Sequence, residues 1–162
     1  MFKYFFMNRN LLIIISLSIL SFVFFSCNLE ELEPYSLKFI HIMDKNASST
    51  NVSSKANTIA TYNVYLSVPA SEMKENVNVQ YDIIVGNGLK EGVDFKLLSE
   101  GKTLTFLPGI YDMPIRIQWI SHPIDLTKDN TLKIVLISND KGYNLGLPGP
   151  DQIQKEFTIT KI

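Results

Sequence analysis

One cysteine, Cys27, occurs in 162 residues. A single copy can therefore form no disulfide and assemble no multi-cysteine zinc site. Histidine is almost as scarce, with only His41 and His122 present. A zinc site or a His-based triad needs partners that the sequence does not place beside either. Both are expected to be structural or surface residues. Excess basic charge is also missing, since 15 Lys and Arg face 16 Asp and Glu. Such a balance exerts no long-range pull on nucleic acid, whose binders carry a basic face. No segment beyond the first 35 residues has a persuasive helical period. No apolar run reaches the ~20 residues of a membrane-spanning helix.

The longest apolar run is Leu11 to Phe25, broken only by Ser16, Ser18 and Ser21. Lys3 and Arg9 precede it, and Ser26-Cys27 follows it. A basic start, an h-region of this length and a small residue before cysteine resemble a bacterial lipoprotein signal with its lipobox. The resemblance implies acylation of the Cys27 thiol and cleavage just before it, so that residues 1–26 are a hydrophobic signal-peptide helix. An uncleaved signal anchor and a plain secretory signal are the alternatives. Phe24 and Phe25 are bulkier than the residues usual in a lipobox, and relaxed boxes of this kind resemble those of Bacteroidota. Glu30, Glu31 and Glu33 follow within six residues of Cys27. They resemble the export signal that sends Bacteroidota lipoproteins to the outer face of the outer membrane. A charged linker without an address is the plainer reading. Residues 27–35 are then a lipid-anchored acidic tether, and acyl chains at ~0.8 kcal/mol per buried methylene keep the product on the membrane.

Residues 36–162 read as one domain of short strands. Ser36 to Met43 is a first strand. Asp44 to Asn57, rich in Ser, Asn and Lys, reads as a flexible exposed loop. Tyr62, Val64, Leu66 and Val68 share one face, and Val77, Val79, Tyr81, Ile83 and Val85 repeat the alternation. Gly86-Asn87-Gly88 breaks the second run. Phe95 to Ser99 and Lys102 to Leu107 flank Glu100-Gly101, a tight-turn signal. Met113, Ile115, Ile117 and Trp119 share the next face, which makes Trp119 a core residue. Thr131 to Asn139 is apolar at both Leu132, Ile134, Leu136 and Val135, Ile137. It is expected to be a central strand covered on both faces. Lys141 to Asp151 is a long turn, and Ile153 to Ile162 closes the chain with Phe157 and Ile159 inward. About eight evenly spaced strands predict an all-β fold, a single antiparallel sandwich.

The order of motifs resembles that of Calx-beta domains over residues 60–162. Gly92-Val93-Asp94-Phe95 is similar to their Gly-x-Asp-Tyr/Phe signature. Leu104-Thr105-Phe106 with Pro108-Gly109, then Ile115-Arg116-Ile117, resemble the strand, turn and strand that follow. Leu136-Ile137-Ser138-Asn139 and Tyr143-Asn144-Leu145-Gly146 complete the order. Small lipoproteins of Bacteroidota with a Calx-beta-like pattern are the nearest likeness, and the fold implied is immunoglobulin-like. In calcium-binding members the Asp of the signature joins an acidic run after the Ile-x-Ile strand. Here that run is Ser121-His122-Pro123-Ile124, and Asp125 and Asp129 fall off the motif. The last strand ends Thr160-Lys161-Ile162 in place of an acidic pair. Calcium takes six to eight oxygens, so Asp94 is expected to cap backbone amides, and a calcium role for it is the weaker alternative.

No catalytic constellation or cofactor motif emerges. The carboxylate pairs Asp125 with Asp129 and Glu72 with Glu75 lie on polar loops, where solvated charges are the rule. Tyr111 and Tyr143 sit in loops and are the candidate ligand-binding residues. The Lys141–Pro150 loop is the best candidate recognition element, because rigid turns at the end of a sandwich are where binding residues sit; a plain connection is the favoured alternative. The expected protein is therefore a non-enzymatic, surface-exposed lipoprotein of the outer membrane. It would bind a protein or glycan partner, as an accessory to nutrient uptake. A structural or adhesin-like envelope spacer is the alternative, and a calcium-binding module the least favoured.

Overall fold

Apolar–polar alternation becomes strand wherever one side of the ribbon can be buried. The computed structural model describes residues 37–162, so the signal segment, Cys27 and Glu30, Glu31 and Glu33 lie outside the described residues. Ten strands follow in order: β1 Phe39–Met43, β2 Ser49–Val52, β3 Ile59–Ser67, β4 Val77–Val85, β5 Phe95–Leu97, β6 Thr103–Phe106, β7 Asp112–Trp119, β8 Thr131–Asn139, β9 Asn144–Leu145 and β10 Glu156–Lys161. They form two sheets of five strands, ordered β5-β7-β3-β1-β9 and β2-β10-β8-β4-β6.

The inward faces of both sheets meet in one apolar core. Ile40, Ile42, Val64, Ile115 and Ile117 come from the first sheet, and Val79, Leu132, Ile134, Phe157 and Ile159 from the second, all 0% exposed. Tyr62 packs on Phe157 across the core, with ring centroids 5.5 Å apart. Trp119 is fully buried, as its strand face predicts, and its indole N–H donates to the Tyr62 hydroxyl at 3.1 Å. Each such side chain stabilises the fold by roughly 1.5–3 kcal/mol relative to exposure.

Four expectations change. First, the supposed loop over residues 44–57 contains β2, which pairs in parallel with β10. Its sequence, Ser-Thr-Asn-Val, carries no apolar alternation, and the strand exists because the edge of β10 offers backbone partners. Second, the long turn after residue 141 contains β9, parallel to β1. The sheets are thus mixed rather than purely antiparallel. Third, β8 is central in its sheet, but its outer face is open, with Ile137 52% exposed. The pairing with β4 steps from Gln80↔Ser138 to Tyr81↔Leu136 and skips Ile137. One extra residue on β8 makes a bulge there. Fourth, β4 leaves the core only at its end: Tyr81 and Ile83 still pack on it beyond this bulge, but Val85, in line with them in the alternation, is 39% exposed. The outermost strands are short, two to four residues each. Short edges limit pairing with other chains.

Candidate functional site

Asp94 lies in the turn that enters β5. Gly92 takes φ +83°, and the Asp94 amide donates to the Lys90 carbonyl at 2.8 Å. The carboxylate reaches back, its Oδ2 accepting the Lys90 N–H at 2.9 Å. That is the backbone cap expected of it. Its other oxygen, Oδ1, accepts Lys161 Nζ at 2.9 Å and lies 3.2 Å from His122 Nδ1. Lys161 Nζ also donates to the carbonyls of Ile120 at 2.9 Å and of Asp94 at 3.3 Å. The Lys161 side chain is 0% exposed and that of Asp94 is 4% exposed. Burial pushes the Asp94 carboxyl up. The hydrogen bonds and charge of Lys161, with the Lys90 amide and His122, outweigh it and hold the group below its ordinary value. A cation supplied by the chain itself thus sits on the carboxylate, tying the end of β10 to β5 and β7. Among the described residues no three His, Cys, Asp or Glu side chains gather as a metal site would require.

Tyr111 and Tyr143 are both half-buried against the core. Both lie at the end of the first sheet where β7, β1 and β9 begin. Residue 111 leads into β7 and residue 143 into β9, with β3 and β1 between those strands. Three inter-strand spacings separate β7 from β9, roughly 14 Å. The two candidate residues therefore lead into strands that are not neighbours. Tyr143 is held by Asn139, whose Oδ1 accepts its N–H at 2.9 Å and whose Nδ2 donates to its carbonyl at 2.8 Å. Lys38 Nζ lies 5.9 Å from the centre of the Tyr143 ring. Tyr143 also lines a small hollow with Met73, Glu75, Val77 and Lys141.

The paired carboxylates singled out in the sequence have structural partners. Asp125 Oδ1 accepts the Thr127 amide at 3.0 Å and its hydroxyl at 2.6 Å. Asp129 Oδ1 does the same for Thr131, at 3.1 and 2.7 Å. Glu72 pairs with Lys38, and Glu75 with Lys141. His41 is 8% exposed and lies between Phe39 and Tyr65, its ring centroid 5.2 Å and 5.5 Å from theirs. Burial lowers its pKa, which favours the neutral imidazole.

The loop beyond β9 is built differently from a plain connection. Gly146 donates to the Ile40 carbonyl at 2.7 Å, and Ile42 donates to the Gln154 carbonyl at 2.9 Å. The chain thus leaves the edge of β1 after Gly146 and returns to it at Gln154. Leu147 N–H to Ile153 carbonyl, at 2.7 Å, staples the base of the excursion. Pro148 and Pro150 restrict its tip. Gly146 has φ +84°, and a Cβ there would lie 2.4 Å from the Gln152 carbonyl oxygen. Beside the loop runs a groove of about 580 Å3, bounded by residues 151–155, by Ser48 and Ser49, and by Val135, Glu156 and Thr158 on the outward side of the second sheet. The Lys141–Pro150 candidate loop therefore covers the departure of this excursion, and its groove-lining part lies just beyond, at Asp151 to Lys155.

Neither a family model nor a curated protein matches the chain. Among solved structures, the crystal structure of CBD12 from CALX1.2 is similar, with a TM-score of 0.56 and 18% identity. The match covers 76% of this chain and 43% of that one. The fold is therefore that of a Calx-beta structure, in keeping with the order of motifs from Gly92-Val93-Asp94-Phe95 onward.

Proposed function

We propose that this protein is a non-catalytic, lipid-anchored recognition module with an immunoglobulin-like sandwich, displayed on the outer membrane. Its binding end is the stapled loop from Gly146 to Lys155. The observation that carries the reading is the contrast between that loop and every other polar feature weighed. Asp94, Asp125, Asp129, Glu72 and Glu75 each hold a turn or an ion pair. The loop instead rises off a sheet edge beside an open groove. Rigid loops on a β scaffold are where recognition residues collect. The anchor rests on the Ser26-Cys27 junction after the Leu11–Phe25 run, and surface display on Glu30, Glu31 and Glu33. An accessory role in nutrient uptake fits that location.

Cross-linking of intact cells with a membrane-impermeant reagent tests the reading. Capture of this protein with an outer-membrane transporter or a second surface lipoprotein is expected. Absence of any modification by the impermeant reagent would refute surface display. The anchor has its own test: Cys27→Ala is expected to abolish incorporation of labelled fatty acid, and unchanged labelling would refute it.

A further inference from the structure

The turn from Leu107 to Ile110 departs from the other exposed connections. Its four residues, Leu107-Pro108-Gly109-Ile110, are all exposed and none has a polar side chain. Turns elsewhere in the domain carry charge, as at Asp44-Lys45-Asn46, Glu100-Gly101 and Asp140-Lys141. The Ile110 N–H donates to the Leu107 carbonyl at 2.9 Å, and Gly109 takes φ +86°. These features define the tight turn that Pro-Gly favours, whose first and last residues lie within ~7 Å. Leu107 is 53% exposed and Ile110 42% exposed. Two branched apolar side chains thus stand close together at a solvent-facing tip. The strand register fixes which end of the sandwich this is. Phe39, at the start of β1, pairs with Ser67 at the end of β3, and Tyr65 pairs with Asp112 at the start of β7. In the second sheet Val77, at the start of β4, pairs with Phe106 at the end of β6. The turn therefore links the two sheets at the end where the described chain begins, and Leu37 is exposed there as well.

We propose that this end of the sandwich rests on the bilayer, with Leu107 and Ile110 inserted at the boundary between headgroups and acyl chains. The inference rests on the reading of the protein as membrane-anchored. Nine residues, 28–36, join Cys27 to Leu37. At ~3.4 Å per residue they reach roughly 30 Å when fully extended. The nine-residue strands β3 and β8 are themselves about 30 Å long. Turning the opposite end to the membrane would draw the tether straight along the whole sandwich. The end that carries residue 37 is therefore the one held nearest the lipid. Apolar groups at a membrane surface sit about 5–10 Å into the headgroup boundary, a depth that the tip of one turn can span. Charge neither draws this end down nor keeps it off. Lys38, Lys74 and Lys141 face Glu72, Glu75, Asp112 and Asp140, and two of the lysines are already paired, with Glu72 and Glu75. The contact is thus apolar and calls for no anionic lipid. At the far end Leu126 is 85% exposed, but it stands among Asp125, Thr127, Lys128 and Asp129, which favour water. Ile59 and Ile84, also exposed, belong to different sheets and form no common tip.

The test uses full-length protein with its anchor, reconstituted in phosphatidylcholine vesicles. Ile110→Trp adds an indole at the tip, and Leu126→Trp adds one at the far end. Trp119 is fully buried and supplies a constant background emission. Vesicles made with lipid brominated on its acyl chains quench an indole that enters them. Ile110→Trp is expected to lose its added emission there, and in unbrominated vesicles to emit further to the blue than in detergent-free buffer with urea. Leu126→Trp is expected to keep its emission at the wavelength of a solvated indole. Leu107→Glu in the Ile110→Trp background is expected to restore the lost emission, with an unchanged melting temperature because position 107 is exposed. An unquenched Ile110→Trp, equal quenching at the two ends, or quenching that Leu107→Glu leaves intact would overturn the proposal. Quenching that appears only when anionic phosphatidylglycerol is added would overturn the apolar contact. Protein that fails to float with the vesicles would overturn the anchor and the orientation together. Protein that floats yet leaves Ile110→Trp unquenched would overturn the orientation alone.

Discussion

Replacing Lys161 by methionine tests the ion pair at the end of the sandwich. The change keeps most of the apolar stem and removes the ammonium, along with its bonds to Asp94 Oδ1, the Asp94 carbonyl and the Ile120 carbonyl. Asp94 is left 4% exposed with a negative charge and only the Lys90 amide and His122 for company. Removing one member of a buried pair costs about 3–5 kcal/mol, against a total stability of roughly 5–15 kcal/mol for a domain. The midpoint of urea unfolding, followed by the emission of the single tryptophan, Trp119, is expected to drop accordingly. The effect has a definite pH dependence. In the parent protein the Asp94 carboxyl is held below its ordinary value. Its contribution is therefore present above the unfolded pKa of 3.8 and is lost as pH falls through the lower folded value. In Lys161→Met burial, the largest cause, is opposed only by the Lys90 amide and His122, and the pKa is expected to rise enough that the folded state binds the proton more tightly than the unfolded chain. The variant is then expected to regain stability as pH falls from 7 towards 4, and the gap to the parent should narrow. Adding Asp94→Asn is expected to restore more than half of the loss at pH 7, since no charge remains buried. An unchanged midpoint at pH 7, or a gap that widens on acidification, would refute the reasoning.

Other outcomes follow from single contacts. Tyr62→Phe leaves the Trp119 indole N–H without its 3.1 Å acceptor in the core and is expected to cost about 1–3 kcal/mol; calorimetric melting would show it. Asn139→Ala removes the acceptor of the Lys141 and Tyr143 amides and the donor to the Tyr143 carbonyl. About 1–3 kcal/mol of loss is expected, with faster hydrogen exchange at Tyr143 and β9 as the local readout. Gly146→Ala places a Cβ 2.4 Å from the Gln152 carbonyl oxygen at φ +84°. It is expected to loosen the excursion, so that the Leu147 amide exchanges faster while β3 and β4 keep their protection.

Where a strand buries one face by apolar alternation, residue pattern alone located it. β4 and β6 lie within the ranges marked in the sequence, and β3 and β7 overlap theirs with starts within three residues, because each side chain reports its own face. β2 and β9 escaped notice for the complementary reason. Ser49-Thr50-Asn51-Val52 and Asn144-Leu145 are strands by virtue of the neighbour they meet, β10 and β1 respectively. Parallel pairing at an edge is set by where the chain returns, and no local period encodes that. The bulge at Ile137 was hidden for a similar reason. Two apolar faces in sequence suggested two covered faces, whereas the extra residue merely shifts the register against β4.

The polar features divide along the same line. Asp94 was legible as a cap because its partner, Lys90, is four residues away. Its second partner is 67 residues distant, yet a trace of it was present in the sequence. Phe157, Ile159 and Lys161 fall on one face of the last strand, so the alternation that buries the first two also buries the lysine. Reading the period by position, whatever the residue type, puts an ammonium inside and demands a carboxylate to meet it. Asp94 and Glu156 both stand immediately before an inward aromatic, Phe95 and Phe157, but among the described residues Asp94 is the one buried acid. No comparable rule points to Gln154. Its left-handed backbone, φ +67°, and its buried side chain accompany the return of the excursion to Ile42. Glutamine, unlike glycine or asparagine, gives no warning of such a turn. The proline pair at 148 and 150 marks a rigid loop, but what the loop presents to a ligand is decided where it rejoins the sheet.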